Sequence, residues 1–99
     1  MYDLNESDML SKLHPYKIDR PDGWCYIFVH EVIASQNAKI HFIAVPNLGV
    51  QQADKKYFGL GSKVDEALAD CLAKIKAVGI QTLFPDRDQA YDASEQAPN

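Results

Sequence analysis

Seven apolar residues, Val64, Ala67, Leu68, Cys71, Leu72, Ile75 and Val78, recur at the spacing that puts them on one face of a helix. Nothing else in the chain constrains the fold as tightly, because a stripe that wide must be buried against another element. Ser62 stands at the N-cap with Asp65 three residues on. Gly79 stands where a left-handed residue closes a helix, with Ile80 placed to touch Ile75 across it. The spacing predicts an amphipathic helix over residues 63–78.

The partner for that stripe is a sheet. Arg20-Pro21-Asp22-Gly23 has proline and glycine where a type I turn wants them, and it launches the longest β-prone run, Trp24 to Ala34. Ser35-Gln36-Asn37 can close a hairpin into a second strand from Lys39 to Val45, ended by Pro46 because proline cannot donate to a ladder. Lys55 to Leu60 reads as a short third strand. Ahead of the sheet, Asn5 as N-cap, Asp8 completing a capping box and the stripe Met9, Leu10, Leu13 predict a short helix from Glu6 to Leu13, stopped by His14-Pro15. The expected fold class is therefore α+β: a three-stranded antiparallel β-meander with a short N-terminal helix and a long amphipathic C-terminal helix packed on one face, in the order α-β-β-β-α.

At 99 residues the chain suits one domain. Residues 1–85 are read as that domain and residues 86–99 as a disordered acidic tail, since the tail has no apolar period. The tail holds Asp86, Asp88, Asp92 and Glu95 against Arg87, which is −3 of the net −4 and leaves the rest nearly neutral. Clustered cations of the kind that grip duplex nucleic acid are confined to Lys55, Lys56 and Lys63, so these are the candidate phosphate contacts and nucleic acid is a disfavoured partner. No apolar run approaches the roughly 18 residues of a membrane span, and the acidic start lacks the basic and apolar regions of a secretion signal. A cytoplasmic location is expected. Cys25 and Cys71 fit two reduced, buried thiols and not a zinc site or a disulfide framework.

A three-residue loop from Ser35 to Asn37 would set Ala34 against Ala38, Glu31 against His41, His30 against Phe42 and Val29 against Ile43. Strand alternation then places Cys25, Ile27, Val29, Ile33, Ile43 and Val45 on one face, and Trp24, Tyr26, Phe28, Val32, Ile40 and Phe42 on the other. Both faces are apolar, and one principal helix covers one of them. Three covers suit the second face: the N-terminal segment with Tyr16 and Ile18, the Leu83-Phe84 stretch, or another copy of the protein. The candidate interaction surface is Trp24, Tyr26, Phe28, His30 and Phe42, and a homodimer is the ordinary solution.

Chemistry has little to attach to. His14, His30 and His41 are the side chains that titrate near neutrality, yet none stands in a catalytic motif. Gly59-Leu60-Gly61-Ser62 leads into a helix N-terminus, where backbone N–H groups can hold an anion, but it lacks the spacing of a dinucleotide loop or a P-loop and a tight turn explains it. No catalytic, cofactor-binding or metal-binding residue is assigned, and no cofactor is expected.

The order α-β-β-β-α, with Gly59-Leu60-Gly61 before the last helix, resembles the double-stranded RNA-binding domain fold over residues 5–80. That family places consecutive lysines at the start of its final helix to hold phosphates. Here Lys63 is followed by Val64-Asp65-Glu66, so the resemblance implies the fold more than the RNA contact. The segments Phe42-Ile43-Ala44-Val45-Pro46-Asn47-Leu48-Gly49 and Gly61-Ser62-Lys63-Val64-Asp65-Glu66-Ala67-Leu68 are similar to the β-β-β-α core of HicB-like antitoxins, which implies a partner-binding, oligomer-forming module. The functional expectation is a small non-enzymatic interaction module, self-associating and binding a protein partner. The alternative is a nucleic-acid-associated domain of the double-stranded-RNA-binding fold type.

Overall fold

A computed structural model describes residues 3–35 and 41–86. Its chain runs through strands β1 (Met9–Arg20), β2 (Gly23–Ser35), β3 (Phe42–Asn47) and β4 (Gly59–Gly61), then helix α1 (Val64–Ile75) and the one-turn helix α2 (Ile80–Leu83). The strands form one four-stranded antiparallel sheet in the order β1-β2-β3-β4. The expected three-stranded meander with an N-terminal helix is thus corrected to a sheet that begins with a strand, and the C-terminal helix is shorter than its stripe suggested.

β1 replaces the predicted helix from Glu6 to Leu13. A helix of about eight residues cannot offset its own nucleation cost in water, whereas Met9–Arg20 pairs with β2 along its whole length. Pro15 is no stop signal here. It sits opposite Phe28 in a strand at the sheet edge, where a nitrogen with no hydrogen can face away from the ladder. The Asn5–Asp8 contact read as a capping box does form, as a turn: the Asn5 N–H donates to Asp8 Oδ2 (3.0 Å) and the Asp8 N–H to the Asn5 carbonyl (3.1 Å). Pro21 and Asp22 make the tight turn into β2, with Gly23 at φ +142° where few side-chain-bearing residues fit.

β2 matches the predicted Trp24 to Ala34 run almost residue for residue, but its register with β3 is one residue from the expected one. His30 lies opposite Ile43, Val29 opposite Ala44 and Glu31 opposite Phe42. Such a slip moves every β3 side chain to the other face. Phe42 therefore packs against the helix-side core, and Ile43 and Val45 join the opposite face. The helix explains the preference. Ala44 pairs with Gly59 and Phe42 with Gly61, so a floor of small residues lies beneath α1, and a Cβ at Gly59 would come within 2.7 Å of Cys71 Cβ. Ile43 in place of Ala44 would hold the helix off. Ile33, expected in the core, is 46% exposed beside a register shift at Leu10/Ser11. Of the expected hairpin loop Ser35 is the last residue of β2, and Gln36, Asn37, Ala38 and Ile40 lie outside the described residues.

Pro46 is inside β3 rather than beyond it, and its carbonyl accepts from the Ala53 N–H at 3.0 Å. Of the predicted third strand, the Lys55–Tyr57 part is a single 3-10 turn capped by Asp54, and only Gly59–Gly61 pairs. Helix α1 starts at Val64 with Lys63 as N-cap. Ser62, the expected cap, instead donates both its N–H (3.0 Å) and its hydroxyl (2.7 Å) to Glu66 Oε1. Gly79 is at φ −69°, not left-handed. It precedes α2 while the Arg20 guanidinium takes the Ile75 and Val78 carbonyls at 3.4 and 2.8 Å. The core is Cys25, Ile27, Val29 and Ala44 from the sheet against Ala67, Cys71 and Ile75 from α1, closed by Ile80, Leu83 and Phe84. Of the predicted tail, Asp86 is described and residues 87–99 lie outside the described residues. Among the described residues no helix is long and apolar enough to cross a membrane.

Candidate interaction surface

Alternation along β2 sends Cys25, Ile27 and Val29 under the helices and Trp24, Tyr26, Phe28, His30 and Val32 to the opposite face. The rings form a row. Trp24 meets Tyr26 edge-on with centroids 5.3 Å apart, and Tyr26 stacks on Phe28 at 5.6 Å. Across the strands the row is flanked by Leu13 of β1, opposite His30, and by Ile43 and the already buried Val45 of β3, with Leu60 of β4 opposite Ile43. Both helices pack on the other side, and Leu13, Leu60 and Trp24 remain 50%, 44% and 37% exposed.

The two own-chain covers considered for this face are both elsewhere. Tyr16 and Ile18 lie in β1 opposite Ile27 and Cys25, so the segment widens the sheet beside the row and turns these side chains toward the helix face. Leu83 and Phe84 are buried in the helix-side core. Among the described residues, no strand or helix lies over the aromatic row.

Of the five residues predicted for the surface, Trp24, Tyr26, Phe28 and His30 come together and Phe42 does not. Sequence reasoning missed Leu13, Ile43 and Leu60, because their membership depends on the β1–β2 pairing and the β2–β3 register. The candidate phosphate contacts are apart from the row: Lys55 and Lys56 on the 3-10 turn, with Lys56 Nζ over the Tyr57 ring at 5.2 Å, and Lys63 at the start of α1. The cation at the row is Lys17, whose ammonium lies 5.3 Å from the Trp24 ring centre and 3.3 Å from Asp19 Oδ1. Among the described residues the face is therefore locally neutral.

Burial lowers the pKa of His30 by penalising the imidazolium. His14 Nε2 is 2.8 Å from Glu31 Oε1 on the helix side, the partnership that the expected register had given to His41. His41 is exposed, beyond Phe42, and its carbonyl accepts from the Val32 N–H. Cys25 and Cys71 are fully buried, and burial first, with Cys25 and Asp70 nearby, pushes the Cys71 thiol up to about 12. The Gly59-Leu60-Gly61-Ser62 stretch has two donors engaged by carboxylates of α1, the Leu60 N–H on Asp70 at 2.9 Å and the Ser62 N–H on Glu66. A groove of about 360 Å³ between β1 and α1, lined by Ile18, Leu72, Ile75 and Lys76, is flanked by an Arg20 already committed to the carbonyls after α1. Among the described residues no cluster of His, Cys, Asp or Glu could hold a metal ion. No protein-family model, curated protein or solved structure matches the chain.

Proposed function

We propose that this protein is a small non-enzymatic interaction module that self-associates through the aromatic face of its sheet. One observation carries the reading: among the described residues, the Tyr16 and Ile18 segment expected to cover that face lies beside it in β1, and Leu83-Phe84 lies behind it. The resemblance of residues 42–49 and 61–68 to the HicB-like core, which implies oligomer formation, supports the same reading. Binding is favoured over chemistry because the thiols are buried, His14 is engaged by Glu31 and His30 stands among apolar side chains.

The size of the face fits a second copy. With about 3.3 Å per residue along a strand and about 4.8 Å between strands, the four strands present on the order of 500 Å² in plan. Side-chain relief brings this toward the roughly 800 Å² per partner of a standard stable interface. The Lys17–Asp19 pair leaves no net charge to repel a like surface or to draw a phosphate backbone.

Sedimentation of the full chain over a concentration series tests the proposal. The expected result is a dimer with a dissociation constant in the micromolar range, about −8 kcal/mol. Phe28→Asp should be monomeric with an unchanged far-UV spectrum. A wild-type chain that stays monomeric well above that range overturns the reading. Salt-dependent binding of a single-stranded oligonucleotide by that monomer, lost in Phe28→Asp, would assign the rings to base stacking instead.

A further inference from the structure

We infer that this self-association is gated by protons at His30: the neutral imidazole enters the contact, and protonation drives the two copies apart. The inference rests on the dimer proposed above and adds its control.

Its basis is position. His30 follows the three rings along β2, with Leu13 directly opposite on β1, Ile43 directly opposite on β3, and Phe28 and Val32 two residues away along β2. All four are apolar. Among the described residues, the groups on this face able to carry charge lie farther along it. On β1 these are Lys17 and Asp19, opposite Tyr26 and Trp24 and paired with each other. On β2 it is the Tyr26 phenol, and on the β3 side it is His41, the residue before Phe42, which would itself become a cation in acid. β4 offers Leu60. Glu31, the nearest acid in sequence, turns to the helix side and holds His14 there. Among the described residues, an imidazolium at His30 therefore has no carboxylate to meet, and a second apolar face laid over it would remove its water.

Burial in the single copy already disfavours the charged form, and a partner would extend that desolvation. The sign follows. A group whose pKa falls on association supports the dimer fully above its free pKa and opposes it as the pH drops through that value. A symmetric contact contains His30 twice, so the dissociation constant can change by up to about 100-fold per pH unit.

The experiment is sedimentation of the full chain at pH 7.5 and pH 5.0, with far-UV spectra at both to establish that the fold persists. The expected result is a dissociation constant at least about tenfold weaker at pH 5.0. His30→Leu should bind more tightly at both values and lose the step, and His30→Gln should lose the step whatever its affinity. A dimer equally tight at the two pH values overturns the gate while leaving the dimer itself standing. A pH step that survives in both His30 variants but vanishes in His41→Gln also overturns it. Absence of a dimer at pH 7.5 removes the underlying reading and the gate together.

Discussion

Substituting alanine at Gly59 tests the close approach of α1 to the sheet. Gly59 is not among the glycines with positive φ, so its backbone is one that alanine can adopt. In open space the change should stabilise by about 0.4–1 kcal/mol, because alanine has less freedom to lose from the unfolded chain. The structure reverses that sign. An added Cβ would lie 2.7 Å from Cys71 Cβ and closer still to the Ala67 carbonyl oxygen and the Cys71 nitrogen, so most of what it meets is helix backbone that no rotamer change can move. Carbon atoms pack at about 3.5–4.0 Å, which requires α1 to recede by on the order of 1 Å. Ala67, Cys71 and Ile75, none more than 1% exposed, would lift from the sheet together. Overpacking costs about 1–3 kcal/mol, and a gap of 0.5–1 Å forfeits a further quarter to half of each lost contact, for a total near 3 kcal/mol. With a urea slope of about 1–3 kcal/mol/M, the unfolding midpoint read by circular dichroism should fall by roughly 1–3 M. Gly49→Ala is the contrast, since φ is +89° there with nothing within 4 Å, and backbone strain alone should cost about 1 kcal/mol. A neutral or stabilising Gly59→Ala would refute the packing argument.

Two further substitutions probe how α1 is held against its neighbours. Arg20→Met removes a guanidinium that donates to the Ile75 and Val78 carbonyls and faces Asp22, and with its side chain only 18% exposed the loss should be about 2 kcal/mol in urea unfolding. Asp70→Asn weakens the tie from α1 to β4, where the carboxylate accepts from the Leu60 N–H at 2.9 Å and from Lys74 at 3.0 Å, contacts that hold its pKa below the usual carboxylate value. A depressed folded-state pKa contributes stability above the unfolded value and loses it as the pH falls through the folded one. The gap between wild type and variant should therefore be under about 1 kcal/mol at pH 7 and close below about pH 4, as urea midpoints at the two pH values will report.

How much of this was legible depended on whether the information was local. β2 announced itself through its own β-branched and aromatic run, and the alternation within it correctly grouped Trp24, Tyr26, Phe28 and His30. The buried positions of α1, Ala67, Cys71 and Ile75, were readable from their period. β1 was not, because Asn5, Asp8 and the Met9-Leu10-Leu13 spacing imitate a helix start while its real determinant is β2, reached only across the Pro21-Asp22 turn. Phe42 was misplaced for a related reason. A strand's faces follow from its own sequence, but which face meets which neighbour is set by a cross-strand register that one residue can invert. A clue lay in the small residues: Ala44, Gly59 and Gly61 belong where a helix backbone presses on a sheet, and reading them as one floor would have assigned β3 its faces.

The same sheet bears on why association through the face would stop at two copies. An edge is the other route by which strands recruit strands, and both edges here are poor templates. β4 has three residues, and β1 carries Pro15 midway along its length. If the proline nitrogen faces outward, as an edge strand requires of it, an incoming strand finds one donor missing at the centre of the longest edge. Pairing through a sheet face by a two-fold axis uses the surface completely and leaves no second copy of it exposed, so it closes as a dimer where edge addition would continue. Replacing Pro15 with Val restores the donor. The expected outcome is a chain that still forms the dimer but now adds larger, concentration-dependent species in sedimentation, and a Pro15→Val profile identical to wild type would show that the edge is guarded by something other than proline.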